Sequence, residues 1–260
     1  MNRREFVQSA GSSALLTSAS LVRPPLSSQD SKRKIFIYGG NFTPRFNRYV
    51  ALLTGKENPK VCFMPTASGD SLSTIVSWFE ACANLPLRPY VQRSFISSYN
   101  QKESFENVLT NMDAIIVGGG NTLNMMAIWK VQGIDQILKN AWEKGIVLAG
   151  GSAGSLCWFE HGTTDSRPTE LTKVEGLGFL KGSHCPHYHA EPQRKPLYWA
   201  KVKSKEYKPG YACDDRAGIY FEDNEVKEVV ALDETSNAYY VSEEAGEIKE
   251  RQLPKEILKA

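Results

Sequence analysis

Apolar runs closed by glycine or a turn-forming cluster recur along the first part of the chain, and they alternate with segments of helical spacing. KIFIYGG runs from Lys34, KVCFMPTAS from Lys60, DAIIVGGGNT from Asp113 and GIVLAGG from Gly145. RPYVQRSFI, from Arg88, is a weaker strand of the same kind. Between them, RFNRYVALLTG has helical apolar spacing and stops at Gly55. Ser73 to Ala83 places Ile75, Val76, Trp78, Phe79 and Cys82 on a helical repeat. Met125 to Trp129 and Ile134 to Trp142 read as two helices split by Gly133. A strand that is apolar at nearly every position has no face to offer water, so both faces must be covered. Such strands alternating with helices build a mostly parallel sheet with helices on both faces. Ligands of these sheets gather beyond the carboxyl ends of the strands, where the glycine-rich loops after Val117 and Ala149 fall.

The last third changes character. GYACDD, AGIYFED, EVKEVVAL, NAYYVS and EIKERQL are short, closely spaced and rich in turn residues. They predict an antiparallel C-terminal extension of the same sheet. At 260 residues, 41% hydrophobic and 23% charged, the chain suits one large globular domain. A net charge of +2 without a long Lys/Arg run excludes an electrostatic footprint for nucleic acid. The five cysteines are scattered without a CxxC pair, which argues against a zinc site or a disulfide framework.

The amino terminus stands apart. Arg3 and Arg4 precede a short, weakly apolar run to Val22, followed by Pro24, Pro25 and a Ser/Gln/Asp stretch. This pattern is that of a twin-arginine export signal and a linker, and it is too short and too polar for a stable membrane span. The expected organisation is a signal-like segment over 1–32 and a single α/β domain over 33–260. The expected location is exported or periplasmic, with a cytoplasmic enzyme as the alternative.

VLAGGSAGSL, from Val147, contains G-x-S-x-G around Ser152, with an apolar strand before it and an apolar helix, predicted from Ala153 to Phe159, after it. That is the setting of a nucleophile elbow. The serine occupies a tight strand-to-helix turn, its hydroxyl stands clear of the sheet, and the Ala153 N–H can face a developing oxyanion. The competing reading is a glycine-rich turn with no chemistry. A nucleophilic serine needs a base, and three of the four histidines, His184, His187 and His189, cluster in GSHCPHYHAE. A metal centre is the rival for that cluster, but HExxH spacing and a cysteine pair are both missing. Acids that could orient an imidazole are Asp214 and Asp215 in CDDRAG and Asp165 in TTDS. VGGGNT can lend a second oxyanion donor. It matches neither GxGxxG nor a Walker sequence, which weakens a phosphate-loop reading.

Taken together, VGGGNT, GGSAGSLCWFE, TTDS, CPHYHAE and YACDDRAGIYF resemble the peptidase E family, the serine peptidases of family S51, over about Lys34 to Val241. The resemblance implies a flavodoxin-like, class I glutamine amidotransferase-like α/β fold and hydrolysis of dipeptides with N-terminal Asp, without metal or cofactor. It implies Ser152 as nucleophile, His187 as base, Asp215 as the orienting acid where the best-known branch has a glutamate, and Asp165 as a further acidic residue. It implies Gly119, Gly120 and Ala153 at the oxyanion. Arg194 and Arg167 are candidate cations for the substrate carboxylate, with Asn121 beside them. The order Ser, His, Asp along the chain differs from that of α/β-hydrolases and matches the amidotransferase relatives. Expected partners are a short peptide and, for export, the twin-arginine machinery, with the chain a monomer or a homodimer. The alternatives are a cyanophycinase-like or other acyl hydrolase on the same residues and a non-catalytic binding homologue. An amidotransferase is disfavoured because the elbow carries serine.

Overall fold

The computed structural model describes residues 32–97, 99 and 101–259. The signal-like stretch therefore lies outside the described residues. The first half alternates strand and helix: β1 (Lys34–Tyr38), α1 (Pro44–Leu53), β2 (Lys60–Met64), α2 (Leu72–Cys82), β3 (Arg88–Val91), α3 (Phe105–Leu109), β4 (Ala114–Val117), α4 (Thr122–Gln132), α5 (Ile134–Glu143) and β5 (Val147–Gly151). Local chemistry sets several boundaries. Thr43 caps α1 by accepting from the Phe46 N–H, with Pro44 at the first helical position. Gly133, at φ 70°, ends α4 and opens α5.

Strands β1, β5, β4, β2 and β3 lie side by side and parallel. Their alternation explains why the runs are apolar throughout. Ile35, Ile37, Cys62, Met64, Ile115, Val117 and Leu148 face a core shared with Met125, Trp129, Leu138 and Trp142. Phe36, Tyr38, Val61, Phe63, Ile116 and Ala149 face the opposite core, with Phe46, Val50 and Trp78. Burial on both faces confines polar residues to the strand starts, where Lys34 and Lys60 sit, and to the half-exposed strand β3.

The second half runs α6 (Ala153–Leu156), β6 (Phe159–Thr164), β7 (Thr172–Glu175), β8 (Leu180–Cys185), α7 (Arg194–Lys203), β9 (Gly210–Cys213), β10 (Ala217–Glu222), β11 (Glu225–Ala231), β12 (Ala238–Glu244), β13 (Glu247–Gln252) and β14 (Glu256–Ile257). Two features differ from expectation. The helix after Ser152 is a single turn and does not reach Phe159. The Leu177 and Leu180 N–H groups bond the Cys157 and Trp158 carbonyls, drawing the chain directly into β6. The strands read as one antiparallel extension also divide. β10 pairs antiparallel with β1, and β11 and β14 follow it, completing an eight-stranded sheet. β9, β12 and β13 join β8, β6 and β7 in a separate six-stranded sheet. Trp158, Phe159, Phe179 and Leu180 pack this second sheet into the core of α4 and α5, and α7 covers it with Tyr198 and Val202. Among the described residues no helix is long and apolar enough to cross a membrane.

Candidate active site

The site forms where the carboxyl ends of β1, β4 and β5 meet the second sheet. Ser152 follows β5 with φ 53° and ψ −119°, a backbone region that a non-glycine residue occupies only under constraint. The constraint is visible on both sides. The Ser152 N–H donates to the Tyr38 carbonyl at 3.3 Å, and the Ser155 and Leu156 N–H groups donate to the Ser152 carbonyl at 3.0 Å each. Gly154 presses against the Val117 carbonyl with no room for a Cβ, so the turn sits directly on β4.

His187 lies just beyond β8, at φ 54°. The next N–H, of Tyr188, bonds the Cys213 carbonyl at 3.1 Å and fixes this loop against β9. Asp215 occupies the turn between β9 and β10, closed by the Ala217 N–H on the Asp214 carbonyl at 3.0 Å. These placements bring Ser152 Oγ within 2.8 Å of His187 Nε2, and His187 Nδ1 within 2.7 Å of Asp215 Oδ1. A carboxylate oxygen accepts, so Nδ1 carries the proton and donates to Asp215. Nε2 is then bare and accepts the Ser152 hydroxyl proton. The hydrogen bond from His187 holds the Asp215 carboxyl below its ordinary range. Partial burial opposes this shift, and the charges of His187 and Arg194 assist it. His187 is 18% exposed and Asp215 45% exposed, so the array is open to a small ligand from one side.

The N–H groups of Gly119, Gly120 and Ala153 find no acceptor among the described residues. A Cβ built on Gly119 would lie 3.1 Å from Ser152 Cβ and 3.5 Å from its Oγ, so this loop stands directly over the hydroxyl. Gly120, at φ 133°, packs against the Ala67 carbonyl, and the Asn121 N–H bonds the same carbonyl at 2.8 Å.

Two residues do not have the surroundings expected of substrate ligands. The Arg194 side chain is only 2% exposed. Its Nε and Nη2 donate to Glu191 at 2.7 and 3.2 Å, and its Nη1 to the Thr163 carbonyl at 3.2 Å. Arg194, a candidate cation for the substrate carboxylate, is thus buried, with Nε, Nη1 and Nη2 each paired inside the chain. Asp165 approaches Arg194 Nη2 at 3.6 Å, with its own side chain 64% exposed. Asn121 is likewise committed. Its Oδ1 caps α4 by accepting from Asn124, and its Nδ2 donates to the Ser166 carbonyl. Arg167, next along the chain, is exposed.

Each histidine has its own partner. His161 accepts from the Lys208 N–H, His184 meets Ser155 and Tyr211, and His189 donates to Asp214 at 2.8 Å. Among the described residues no group of three or more His, Cys, Asp or Glu is gathered as a metal site. One residue at the site escapes the sequence reading. Asn41 is exposed just after β1, and its Oδ1 lies 3.6 Å from the Cβ position built on Gly119. An asparagine after two glycines reads as a turn, and only its place at a strand's carboxyl end signals otherwise.

Residues 35–229 match the family profile of peptidase family S51. The chain is 39% identical over 233 residues to an uncharacterized peptidase, YgaJ, of Bacillus subtilis (strain 168), covering 87% of this chain and 99% of that one. Its fold is similar to the crystal structure of a peptidase from an acI-B1 actinobacterium, with a TM-score of 0.69 at 16% identity over 87% of this chain and 96% of that one. It is similar also to a putative peptidase E protein from Listeria monocytogenes EGD-e, with a TM-score of 0.58 at 21% identity over 78% of this chain and all of that one. The chain thus belongs to peptidase family S51 and is a serine-type peptidase.

Proposed function

We propose that the chain hydrolyses short peptides, preferentially dipeptides with an N-terminal aspartate, through Ser152, His187 and Asp215. Ser152 Oγ attacks the scissile carbonyl while His187 Nε2 takes its proton, and His187 then returns that proton to the leaving amine. Asp215 holds the imidazole in the required tautomer and faces the imidazolium as it forms. The Ala153 N–H and one from Gly119 or Gly120 stabilise the oxyanion, each donor contributing about 3 kcal/mol. Water repeats the sequence on the acyl-enzyme. The observation that carries this reading is the unbroken hydrogen-bonded line from Ser152 through His187 to Asp215.

The preference for aspartate is supported by Arg167, exposed beside Ser166, whose carbonyl and hydroxyl are tied to Asn121 and Leu123 next to the oxyanion loop. The test is a panel of Asp-X, Ala-X and β-linked aspartyl dipeptides with the wild-type chain and Ser152→Ala. Hydrolysis of Asp-X by wild type alone is the expected result. Wild-type rates in Ser152→Ala would overturn the nucleophile, and faster cleavage of the β-linked peptides would overturn the specificity. The arginine pair Arg3–Arg4 supports an exported enzyme, checked by fractionating cells that carry the chain with and without that pair.

A further inference from the structure

We infer that His184 is a positioning residue, one buried imidazole that ties together the three segments carrying Ser152, His187 and Asp215; the inference rests on the reaction proposed above. His184 lies in β8, three positions before His187, and is fully buried, its ring stacked on Phe159 at 4.9 Å. Its Nδ1 lies 3.0 Å from the Tyr211 carbonyl. A carbonyl can only accept, so Nδ1 carries the ring proton and Nε2 is bare. Ser155 Oγ stands 2.9 Å from Nε2 and 2.8 Å from the Ser152 carbonyl. That hydroxyl has one proton for two acceptors. The Ser152 carbonyl is already served by the Ser155 and Leu156 N–H groups, whereas His184 Nε2 has no other donor among the described residues. The proton therefore goes to His184, and the line reads Ser155 O–H to Nε2, then Nδ1–H to the Tyr211 carbonyl.

The topology gives this line its meaning. Ser155 is in α6, whose first turn hangs from the Ser152 carbonyl. His184 is in the strand that leads to His187. Tyr211 is in β9, the strand that leads to Asp215, and it is the register partner of His184. Each end of the catalytic array is thus anchored a few residues upstream or downstream by the same ring. The neutral ring is the form this line requires. Burial depresses His184 to about 3; the hydrogen bond to the Tyr211 carbonyl opposes this shift, and the nearby charges of His187 and Arg194 assist it.

The test compares Ser155→Ala, His184→Phe, the double variant and His184→Gln. Phe keeps the stacked ring and removes both hydrogen bonds, whereas Gln keeps one donor and one acceptor. Readouts are the rate of irreversible labelling of Ser152 by a fluorophosphonate, kcat and KM on an aspartyl p-nitroanilide, and the melting temperature. A displacement of about 1 Å at a catalytic group costs up to about 100-fold. Ser155→Ala is therefore expected to slow labelling and kcat by roughly 10-fold to 100-fold with KM little changed. The double variant should be no slower than the worse single variant, and Gln should recover part of the loss. Should His184→Phe fail to fold, Ser155→Ala and His184→Gln decide alone. Wild-type labelling and kcat in Ser155→Ala, or losses that multiply in the double variant, would overturn the link. A wild-type chain that is neither labelled nor active would instead overturn the reaction itself.

Discussion

Gly40 donates its N–H to the carbonyl oxygen of Asp215 at 3.1 Å, so the end of the first strand touches the backbone of the residue that faces His187. A Cβ at position 40 would stand 2.8 Å from that oxygen and 2.9 Å from Asp215 Cβ. Gly40→Ala must therefore push the Asp215 turn aside. Turnover should fall by roughly 10-fold to 100-fold, the scale of a misplaced catalytic group, while the chain still melts cooperatively. Steady-state kinetics beside a melting curve checks this, and unchanged turnover would make the position of the aspartate immaterial.

Replacing Asp215 by Asn keeps the shape but lets the amide donate toward His187 Nδ1, favouring the tautomer in which Nε2 cannot accept from Ser152. The loss in kcat should approach 10⁴-fold, as for comparable triads. Asp215→Glu, which retains the charge, should retain more activity than Asn. Equal activity of the two variants would show that charge and tautomer at this position do not matter.

Neighbouring glycines of the loop beside Ser152 should separate activity from stability. An added Cβ at Gly119 would occupy the space beside Ser152 Oγ at 3.5 Å without a strained φ. Gly119→Ala should abolish peptide hydrolysis and leave the melting temperature close to wild type. Gly120 has φ 133° and backs onto the Ala67 carbonyl, so Gly120→Ala should lower the melting temperature by several degrees, in line with a cost of about 1–3 kcal/mol. Assays of both variants side by side distinguish the two roles.

Acid should weaken the fold through His184. In the folded chain its pKa is depressed to about 3 from the ordinary 6.5. Between those values the unfolded chain binds the extra proton, so stability falls as pH drops below about 6.5, by on the order of 1 kcal/mol per unit. Above that range the ring contributes no pH dependence. His161 is shifted downward by burial and acts in the same direction. Asp215 acts lower: its carboxyl is held below the ordinary 3.8, and its stabilisation is lost only as pH falls through that lower range. The drop in melting temperature from about pH 7 to about pH 4.5 should therefore be smaller in His184→Gln than in wild type. An equal drop would exclude His184 as a source of acid sensitivity.

The parallel half of the molecule is readable in the sequence because its strands are buried on both faces and its helices begin and end at ordinary cap signals, such as Thr43 and Gly133. Ser152 stands out in its G-x-S-x-G turn, but its partners do not: the residues alone leave His184, His187 and His189, and Asp165, Asp214 and Asp215, as candidates, and only the resemblance of CPHYHAE and YACDDRAGIYF singles out His187 and Asp215. The second sheet is not readable, because β6 and β7, with sequences FEHGTT and TKVE, carry polar residues and lack a clean period. Arg194 illustrates a different limit. Its type suits a substrate carboxylate, but its availability is decided by Glu191 and Thr163, and the partner of a buried guanidinium cannot be read from spacing. Asn41 is obscured by the two glycines before it.

The serine follows a strand of the eight-stranded sheet, the histidine follows a strand of the six-stranded one, and Asp215 sits where the chain crosses between them. These three side chains consequently span a seam, and a slip of an ångström along it would part them while each ladder of strands stayed whole. Under mild heating or dilute denaturant, the chemistry should fade while the far-ultraviolet circular dichroism still reports native structure.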